Sequence, residues 1–273
     1  MPAPTARYQQ VDGLQTRYLE EGGGPTVVLI HGAVLGSSAN VWDRHLAPLA
    51  AQGLRVIAYD RPGCGRTDNP PDSTAAYQQR FLLAFLDALG VERAGLVGHS
   101  MAGNIAVSLA LESPERVSSV MILGTGSLLP PVEGAPPAGP APNESVFGRE
   151  PTRDDVRRVL DEQLYHHELI TPELVEERYQ ISLGHVRERP AAAPAATNRA
   201  PTWPRLAQIT QPLMLLYGKN DRPTTAAQVD QLRQSFPSMD VRLIDDCRHL
   251  IQLDQADTFF AAAVELFGAP ARA

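Results

Sequence analysis

The strongest constraint on the fold is a strand–turn–helix signal centred on Ser100. An apolar run over residues 94–97 predicts a strand, and an Ala-rich amphipathic run over 104–111 predicts a helix. Gly98 and Ala102 stand where a bulky side chain would collide with the crossing backbone, so Ser100 is predicted at the tip of a tight turn with its hydroxyl exposed. A serine that only caps the helix is the plainer alternative.

Length and composition indicate a globular chain. The 273 residues, 43% of them hydrophobic, suffice for one large α/β domain with an insertion or for two modest domains. There is no run of about 18 apolar residues of the kind a transmembrane helix needs. The polar start at residues 1–10 has no apolar signal-peptide core, so we expect a cytoplasmic protein.

Charge and cysteine usage exclude several partners and cofactors. A net charge of −7 argues against nucleic acid or an acidic membrane as partner. Cys64 and Cys247 form no C-x-x-C pair, so zinc and redox motifs are absent from the sequence, and a disulfide between them is not expected in a reducing cytosol. The Gly63-x-Gly65 pair lacks the third glycine of a nicotinamide fingerprint. We therefore predict no cofactor, no metal and a small-molecule substrate as partner; a homodimer stays open.

Strand and helix patterns alternate along most of the chain, which predicts a mostly parallel sheet joined by crossover helices. The predicted strands cover residues 14–20, 26–30, 54–59, 94–97, 117–123, 212–217 and 241–244. The alternation stops at Gly124, and two polar helical patterns at 152–166 and 171–183 follow between Pro- and Ala-rich loops. The interpretation is an α/β core formed by 1–125 and 209–273, with a helical cap inserted over 126–208.

Three residues with complementary chemistry follow the carboxyl ends of predicted strands, where open α/β sheets bind ligands. Ser100, Asp221 and His249 occur in the order Ser, Asp, His. A serine hydroxyl needs a neutral imidazole to take its proton, and the imidazole needs a carboxylate to fix its tautomer. We predict Ser100 as nucleophile, His249 as base and then acid, and Asp221 as the orienting acid.

Other residues compete for the last two roles. Asp221 could merely cap the following helix, and Asp60, Asp245 and Asp246 are alternative acids. The other histidines fall inside the turn, in a helix, in the glycine loop or on the insertion, whereas His249 alone follows the last strand. These alternatives are His31, His45, His99, His166, His167 and His185.

A tetrahedral intermediate also needs two backbone donors for its oxyanion. The N–H of Met101 lies at the helix N-terminus, and the N–H of Ala33 is predicted to face it from the loop after 26–30. The plainer alternative is that His31-Gly32 only makes a tight turn. That alternative is weakened because this loop and the serine turn would meet at the same edge of the sheet.

Four blocks in order resemble the α/β-hydrolase superfamily over almost the whole chain. They are His31-Gly32, the loop from Asp60-Arg61-Pro62-Gly63 to Asp68, Gly98-His99-Ser100-Met101, and Gly218-x-x-Asp221 with His249. Within it the chain is similar to hydrolases that cleave carbon–carbon bonds in ring-fission products of aromatic compounds. The features that carry this are the extended loop 32–42, the Ser100-Met101 pair and the closing block 247–257.

The chain also departs from that subfamily. His99 stands where an asparagine is usual, and Leu250 and Leu253 stand where aromatic residues are usual. The subfamily holds a substrate carboxylate with an arginine near the cap, for which Arg187 and Arg189 are the candidates; a solvated arginine is the plainer interpretation. Ester or lactone hydrolysis therefore stays open.

The sequence thus predicts a serine-triad hydrolase acting on a small organic carbonyl compound. The first hypothesis is carbon–carbon hydrolysis of a vinylogous diketone, with a carboxylesterase or lactonase as the alternative. A non-catalytic ligand receptor and a cofactor-free peroxidase or lyase are further alternatives, whereas dehalogenases and epoxide hydrolases of this fold need Asp in place of Ser100. The substrate pocket, or else plain core, is predicted at Leu35, Trp42, Met101, Leu128, Leu129 and Leu250.

Overall fold

The computed structural model describes residues 4–72, 74–132, 149–185, 202–222 and 225–268. One eight-stranded sheet has the order β1-β2-β4-β3-β5-β6-β7-β8. β1 and β2 pair antiparallel, β2 joins β4 antiparallel, and β3 to β8 are parallel. The strands are β1 Ala6–Val11, β2 Leu14–Gly22, β3 Thr26–Ile30, β4 Arg55–Tyr59, β5 Ala94–His99, β6 Val117–Leu123, β7 Leu213–Gly218 and β8 Asp240–Ile244. The predicted fold class, a mostly parallel α/β-hydrolase sheet flanked by helices, is confirmed.

Helices cover both faces of this sheet. They are α1 Asp43–Ala50, α2 Ala75–Ala88, α3 Ala102–Glu112, α4 Arg153–Gln163, α5 Pro172–His185, α6 Thr225–Ser235, α7 Ile251–Asp254 and α8 Ala256–Phe267. Apolar side chains of α2, α3 and α6 join one buried cluster, and those of α1 and α8 join another on the opposite face. The strands between these clusters are buried on both sides, which explains their continuous apolar sequences.

α4 and α5 follow β6 and precede β7, inside the interval predicted as a cap. Thr152 begins α4 with a capping box, its hydroxyl accepting from the N–H of Asp155 while the Asp155 carboxylate accepts from the N–H of Thr152. Val156, Val159 and Leu160 of α4 join the cluster that holds α1 and α8, so the apolar side chains of α4 are continuous with the core on that face of the sheet. The division into core and cap domains stays a prediction.

The helix bounds differ from the sequence pattern at the end of α4. Ahead of α1, Ala39–Trp42 form a 3-10 turn, in which the Ser38 side chain accepts from the Asn40 N–H. α4 ends at Gln163 rather than at residue 166, because the next backbone N–H groups bond to another part of the chain. In the described ranges no helix is both long and apolar enough to cross a bilayer.

Candidate active site

The turn after β5 holds Ser100 in a strained conformation. Its φ is +56°, in the left-handed region that L-residues rarely occupy. The Ser100 N–H donates to the Leu123 carbonyl at 2.7 Å, and the Thr125 hydroxyl donates to the Ser100 carbonyl at 2.6 Å. The end of β6 therefore fixes the turn from both sides, as a strained functional residue requires.

Small residues around Ser100 are demanded by the close backbone. A Cβ on Gly98 would lie 2.7 Å from the Ala102 carbonyl oxygen, which confirms the steric reason predicted for that glycine. A Cβ on Gly103 would lie 2.1 Å from the Thr125 Oγ1. The turn therefore needs glycine at position 103 as well as at position 98.

The structure brings the three predicted side chains together. His249 Nε2 lies 3.0 Å from Ser100 Oγ, and His249 Nδ1 lies 3.0 Å from Asp221 Oδ2. Burial opposes ionisation of Asp221, but the adjacent His249 ring and the Arg222 charge outweigh it and hold the pKa of Asp221 below its usual range. An ionised Asp221 accepts the Nδ1 proton, which leaves Nε2 of His249 to accept the proton of the Ser100 hydroxyl.

Two of the three alternative acids, Asp60 and Asp245, are paired elsewhere. Asp60 is fully buried, pairs with Arg17 and accepts from the N–H groups of Ala39 and Arg66. Asp245 is exposed and pairs with Lys219. These contacts give both carboxylates structural roles away from His249.

Three other histidines are buried and uncharged at neutral pH. Burial and the Arg61 charge lower the pKa of His31 well below its usual value, and its Nε2 accepts from the Arg61 N–H. Burial lowers the pKa of His45 to about 4, and the ring donates to the Gln252 carbonyl at 2.7 Å. Burial and the neighbouring His249 lower the pKa of His99 to about 3. None of the three contacts the Ser100 hydroxyl through a hydrogen bond.

His99 contacts the loop of His249 rather than the nucleophile. Its Nε2 donates to the backbone carbonyl of His249 at 3.0 Å, and the two rings are 4.9 Å apart. His249 is thus held by His99 at its backbone and by Ser100 and Asp221 at its ring. His99, which stands where the resembling hydrolases usually have asparagine, therefore holds the backbone of His249 through this hydrogen bond.

The loop after β3 packs directly against the serine turn. A Cβ on Gly32 would lie 2.9 Å from His99 Nδ1 and 3.0 Å from Ser100 Cβ, so only glycine fits there. The next residue, Ala33, is thereby brought to the edge of the sheet that holds Met101. Among the described residues the Met101 N–H has no hydrogen-bond acceptor. The oxyanion role of these two N–H groups stays a prediction.

The predicted pocket residues divide into two groups. Trp42 is fully buried between α1 and α8, 5.7 Å from the ring of Phe259, which favours its alternative interpretation as core. Leu128 is fully buried in the cluster on the other face. Leu35, Leu129 and Leu250 are buried at 6%, 7% and 1% exposure, and their role in a pocket stays a prediction. Arg187 and Arg189 lie outside the described residues.

A polar cleft of about 500 Å³ lies between α5 and the loops after β3 and β4. Its groups are largely paired with one another: Arg17 bonds Asp60 and Asn40, and Asn40 donates to Glu177. This cleft is therefore not the apolar pocket that the sequence predicts.

Sequence reasoning missed Arg178 on α5. Its side chain is 95% buried, and neither Nη atom has a hydrogen-bond partner in the described part of the chain. Burial lowers its pKa to about 10, so it is still a cation at neutral pH. Its charge contributes to the lowered pKa of His31 and of His99. Its backbone packs against the loop after β3, since a Cβ on Gly36 would lie 2.2 Å from the Arg178 carbonyl oxygen. The sequence signal for this burial is the helical spacing that places Arg178 on the same helix face as Val175 and Ser182, which are both buried.

Comparisons with known proteins show the family and the fold of this chain. A family model described as alpha/beta hydrolase fold matches residues 25–256. A 2-hydroxy-6-oxononadienedioate/2-hydroxy-6-oxononatrienedioate hydrolase of Pseudomonas putida is 31% identical over 261 residues, covering 90% of this chain and 89% of that protein.

Solved structures include a meta-cleavage product hydrolase from Pseudomonas fluorescens, with a TM-score of 0.76, 25% identity and coverage of 96% of this chain and 97% of that chain. Est816, described as an N-acyl homoserine lactone degrading enzyme, has a TM-score of 0.72 and 27% identity, with coverage of 95% of this chain and 99% of that chain. The sequence resemblance is confirmed, and both reactions left open by the sequence occur among similar proteins.

Proposed function

The chain belongs to the alpha/beta hydrolase fold family, and on that premise we propose that it is a serine hydrolase that cleaves a carbon–carbon bond next to a ketone in a ring-fission acid. Ser100 is the nucleophile, His249 the general base and acid, and Asp221 the residue that orients the imidazole. The observation that carries this proposal is the single imidazole of His249, which lies 3.0 Å from both Ser100 Oγ and Asp221 Oδ2.

The chemistry follows from that arrangement. Ser100 Oγ bonds to the carbonyl carbon while its proton passes to His249 Nε2. The N–H groups of Ala33 and Met101 receive the negative oxygen. The bond from the carbonyl carbon to the leaving group breaks, the leaving carbon takes the proton from His249, and a water activated by His249 then releases the acid and Ser100.

Arg178 supports an acidic substrate. The two Nη atoms of Arg178 are buried and have no hydrogen-bond partner within the described residues, which is costly for a charged group, and a carboxylate is the ligand that matches its paired N–H groups. The relative from Pseudomonas putida is named for a dioate, a molecule with two carboxylates. We assign the substrate carboxylate to Arg178. Arg187 and Arg189, the candidates that the family resemblance suggested, lie outside the described residues.

Hydrolysis of an ester or lactone is the second candidate. The similarity to Est816 favours it, and so do Leu250 and Leu253 at positions where the carbon–carbon hydrolases usually carry aromatic residues. An ester that also carries a carboxylate would satisfy Ser100 and Arg178 equally well. The two candidates differ in the atom that leaves the carbonyl carbon, which is carbon in the first and oxygen in the second.

The test compares wild type with Ser100→Ala on two substrate sets. One is a vinylogous 1,5-diketone acid, and the other is a series of p-nitrophenyl esters. We expect wild type to cleave the diketone acid with the higher kcat/KM, and Ser100→Ala to lose about 10³-fold or more in kcat while it unfolds at an unchanged temperature.

The outcomes separate the hypotheses. Higher kcat/KM on esters alone would favour the second candidate. An intact wild type that cleaves neither set and whose Ser100 is not labelled by a fluorophosphonate would favour a non-catalytic receptor. Full activity in folded Ser100→Ala would overturn the assignment of the nucleophile.

A further inference from the structure

The loop that carries His249 is fastened to the C-terminal end of α4. The N–H groups of His249 and Leu250 both donate to the Gln163 carbonyl, at 3.0 and 3.1 Å. The Arg248 guanidinium donates to the Asp161 carbonyl at 2.6 Å. Carbonyls in the last turn of a helix lack intrahelical partners, so the loop 248–250 satisfies groups that α4 leaves open.

Asp254, the last residue of α7, joins the same two segments from the opposite side. Its Oδ1 accepts from the N–H groups of Tyr165 and His166, both at 3.0 Å. Its Oδ2 accepts from the N–H of Arg248 at 2.8 Å and also lies 3.0 Å from the Tyr165 nitrogen. The residue is 92% buried, and no cation of the described chain forms an ion pair with it. Its charge is therefore stabilised by three backbone donors.

These contacts fix where the backbone of the histidine loop runs. Residues 245–250 form neither strand nor helix, and Asp245 and Asp246 are exposed. Arg248 directly precedes His249, so the bond from Asp254 to the Arg248 N–H acts one residue away from the imidazole. Without this carboxylate, three N–H groups in two segments would lose their acceptor, and the loop could separate from α4.

We propose that Asp254 is a positioning residue for His249. The proposal rests on the proposed function, because it concerns the distance from His249 to Ser100 and Asp221. Asp254 touches none of the reacting groups and acts through Arg248 on one side and through Tyr165 and His166 on the other. A displacement of about 1 Å at a catalytic group can reduce the rate about 100-fold, so loss of this anchor affects kcat.

The first test is Asp254→Asn, which keeps the shape but leaves a single acceptor oxygen. Whichever way the amide is turned, its NH₂ group faces either the Arg248 N–H or the His166 N–H. Active sites are titrated to completion with a fluorophosphonate, and kcat on p-nitrophenyl acetate is expressed per titrated site. We expect kcat per site to fall about 10- to 100-fold with KM within about twofold of wild type.

Asp257→Asn is the matched control, because Asp257 is an exposed acid three residues further along, on α8. It should keep the wild-type kcat, KM and titrated fraction. A residue that only supports the fold would lower the titrated fraction and leave kcat per site unchanged, so this measurement separates positioning from stability.

Tyr165→Pro tests the same anchor from the other segment. Proline removes one of the three N–H donors, the side chain it replaces is 40% exposed, and Leu164 already has the extended backbone that a residue before proline adopts, with φ −112° and ψ 133°. We expect a smaller loss of kcat per site, about 3- to 10-fold, because two donors to Asp254 persist.

The results distinguish this proposal from the one it rests on. A wild type that turns over no ester and is not labelled at Ser100 would contradict the proposed function. An active wild type with an unchanged kcat per site in either folded variant would overturn the role of Asp254 alone. If neither variant folds, Asp254 supports the fold rather than His249, which overturns the positioning role as well.

Discussion

At the scale of single residues, the turn around Ser100 is the place that tolerates least change. The left-handed φ of Ser100 is maintained by the bonds from Thr125 and to Leu123. Gly103 lies against the same Thr125 side chain. The geometry of the nucleophile therefore depends on a residue that makes no contact with substrate in the proposed mechanism.

We predict that Gly103→Ala destabilises the protein by about 1–3 kcal/mol, as overpacking of a tight site does. The added Cβ would lie 2.1 Å from Thr125 Oγ1, so Thr125 must move and its bond to the Ser100 carbonyl weakens. Urea unfolding measures the loss, and kcat on an active ester should fall with it. Gly184→Ala on α5 is the control, because the nearest atom would be 3.8 Å away. Equal stability of the two variants would contradict the prediction.

The residues of the candidate site differ in how well the sequence predicts them. Ser100, Asp221 and His249 could be predicted because each directly follows a strand, and parallel strands bring their carboxyl ends to one edge. Arg178 could not, because its proposed role depends on the burial of its two Nη atoms, which have no hydrogen-bond partner among the residues that the structure describes, and burial is a property of tertiary packing. Arginine in a polar helix is normally solvated, but α5 packs against the loop after β3 and against α4, and Arg178 is buried there.

At the scale of elements, strands were predicted better than the ends of helices. The buried strands are read from continuous apolar runs, and six of the parallel sheet's strands occur where the pattern places them. α7 has only the four residues Ile251–Asp254 and no periodicity to detect. The early end of α4 at Gln163 results from long-range bonds to Asp254, which a local pattern does not contain.

The element that bears most on substrate choice is α5, and we predict that Arg178→Gln separates acidic from neutral substrates. Loss of two charge-assisted hydrogen bonds should cost about 2–4 kcal/mol in transition-state binding, so kcat/KM for the diketone acid falls about 30- to 1000-fold. A neutral p-nitrophenyl ester should change less than about threefold. Steady-state kinetics on both substrates measures the difference.

The same variant should not lose stability, because it removes a buried charge that has no partner in the described chain. Arg157→Gln, an exposed arginine on α4, is the control and should leave both substrates unaffected. Equal losses on the acid and the ester in Arg178→Gln would show that Arg178 supports the site without recognising a carboxylate.

At the scale of the whole molecule, the sheet separates two buried apolar clusters. Three neutral histidines are buried at the edge of this sheet and on one of its faces. His31 and His99 line the loops at the carboxyl ends of β3 and β5, and His45 packs against Phe259 between α1 and α8. All three are at most 3% exposed. Each is neutral when folded and free to take up a proton when unfolded, which connects the stability of the entire fold to pH.

We predict that the free energy of unfolding falls as the pH is lowered from 7 to 5. The pKa of His45 is lowered from 6.5 to about 4 and that of His99 from 6.5 to about 3, and the pKa of His31 also lies well below its usual value. The folded state therefore binds fewer protons than the unfolded state below about pH 6.5, so acid favours unfolding. His45 and His99 each contribute about 2 kcal/mol over these two pH units, and His31 adds to the loss in the same direction.

Urea unfolding at a series of pH values between 7 and 5 measures this dependence, and substitution of one histidine isolates its share. In His45→Gln the side chain can still donate to the Gln252 carbonyl, but it no longer titrates, so the difference in stability between pH 7 and pH 5 should shrink by about 2 kcal/mol. His167→Gln is the matched control, because the His167 side chain is 55% exposed. This variant should lose as much stability between pH 7 and pH 5 as wild type does. If His45→Gln and wild type lost stability in parallel, burial of His45 would not be a source of the acid sensitivity.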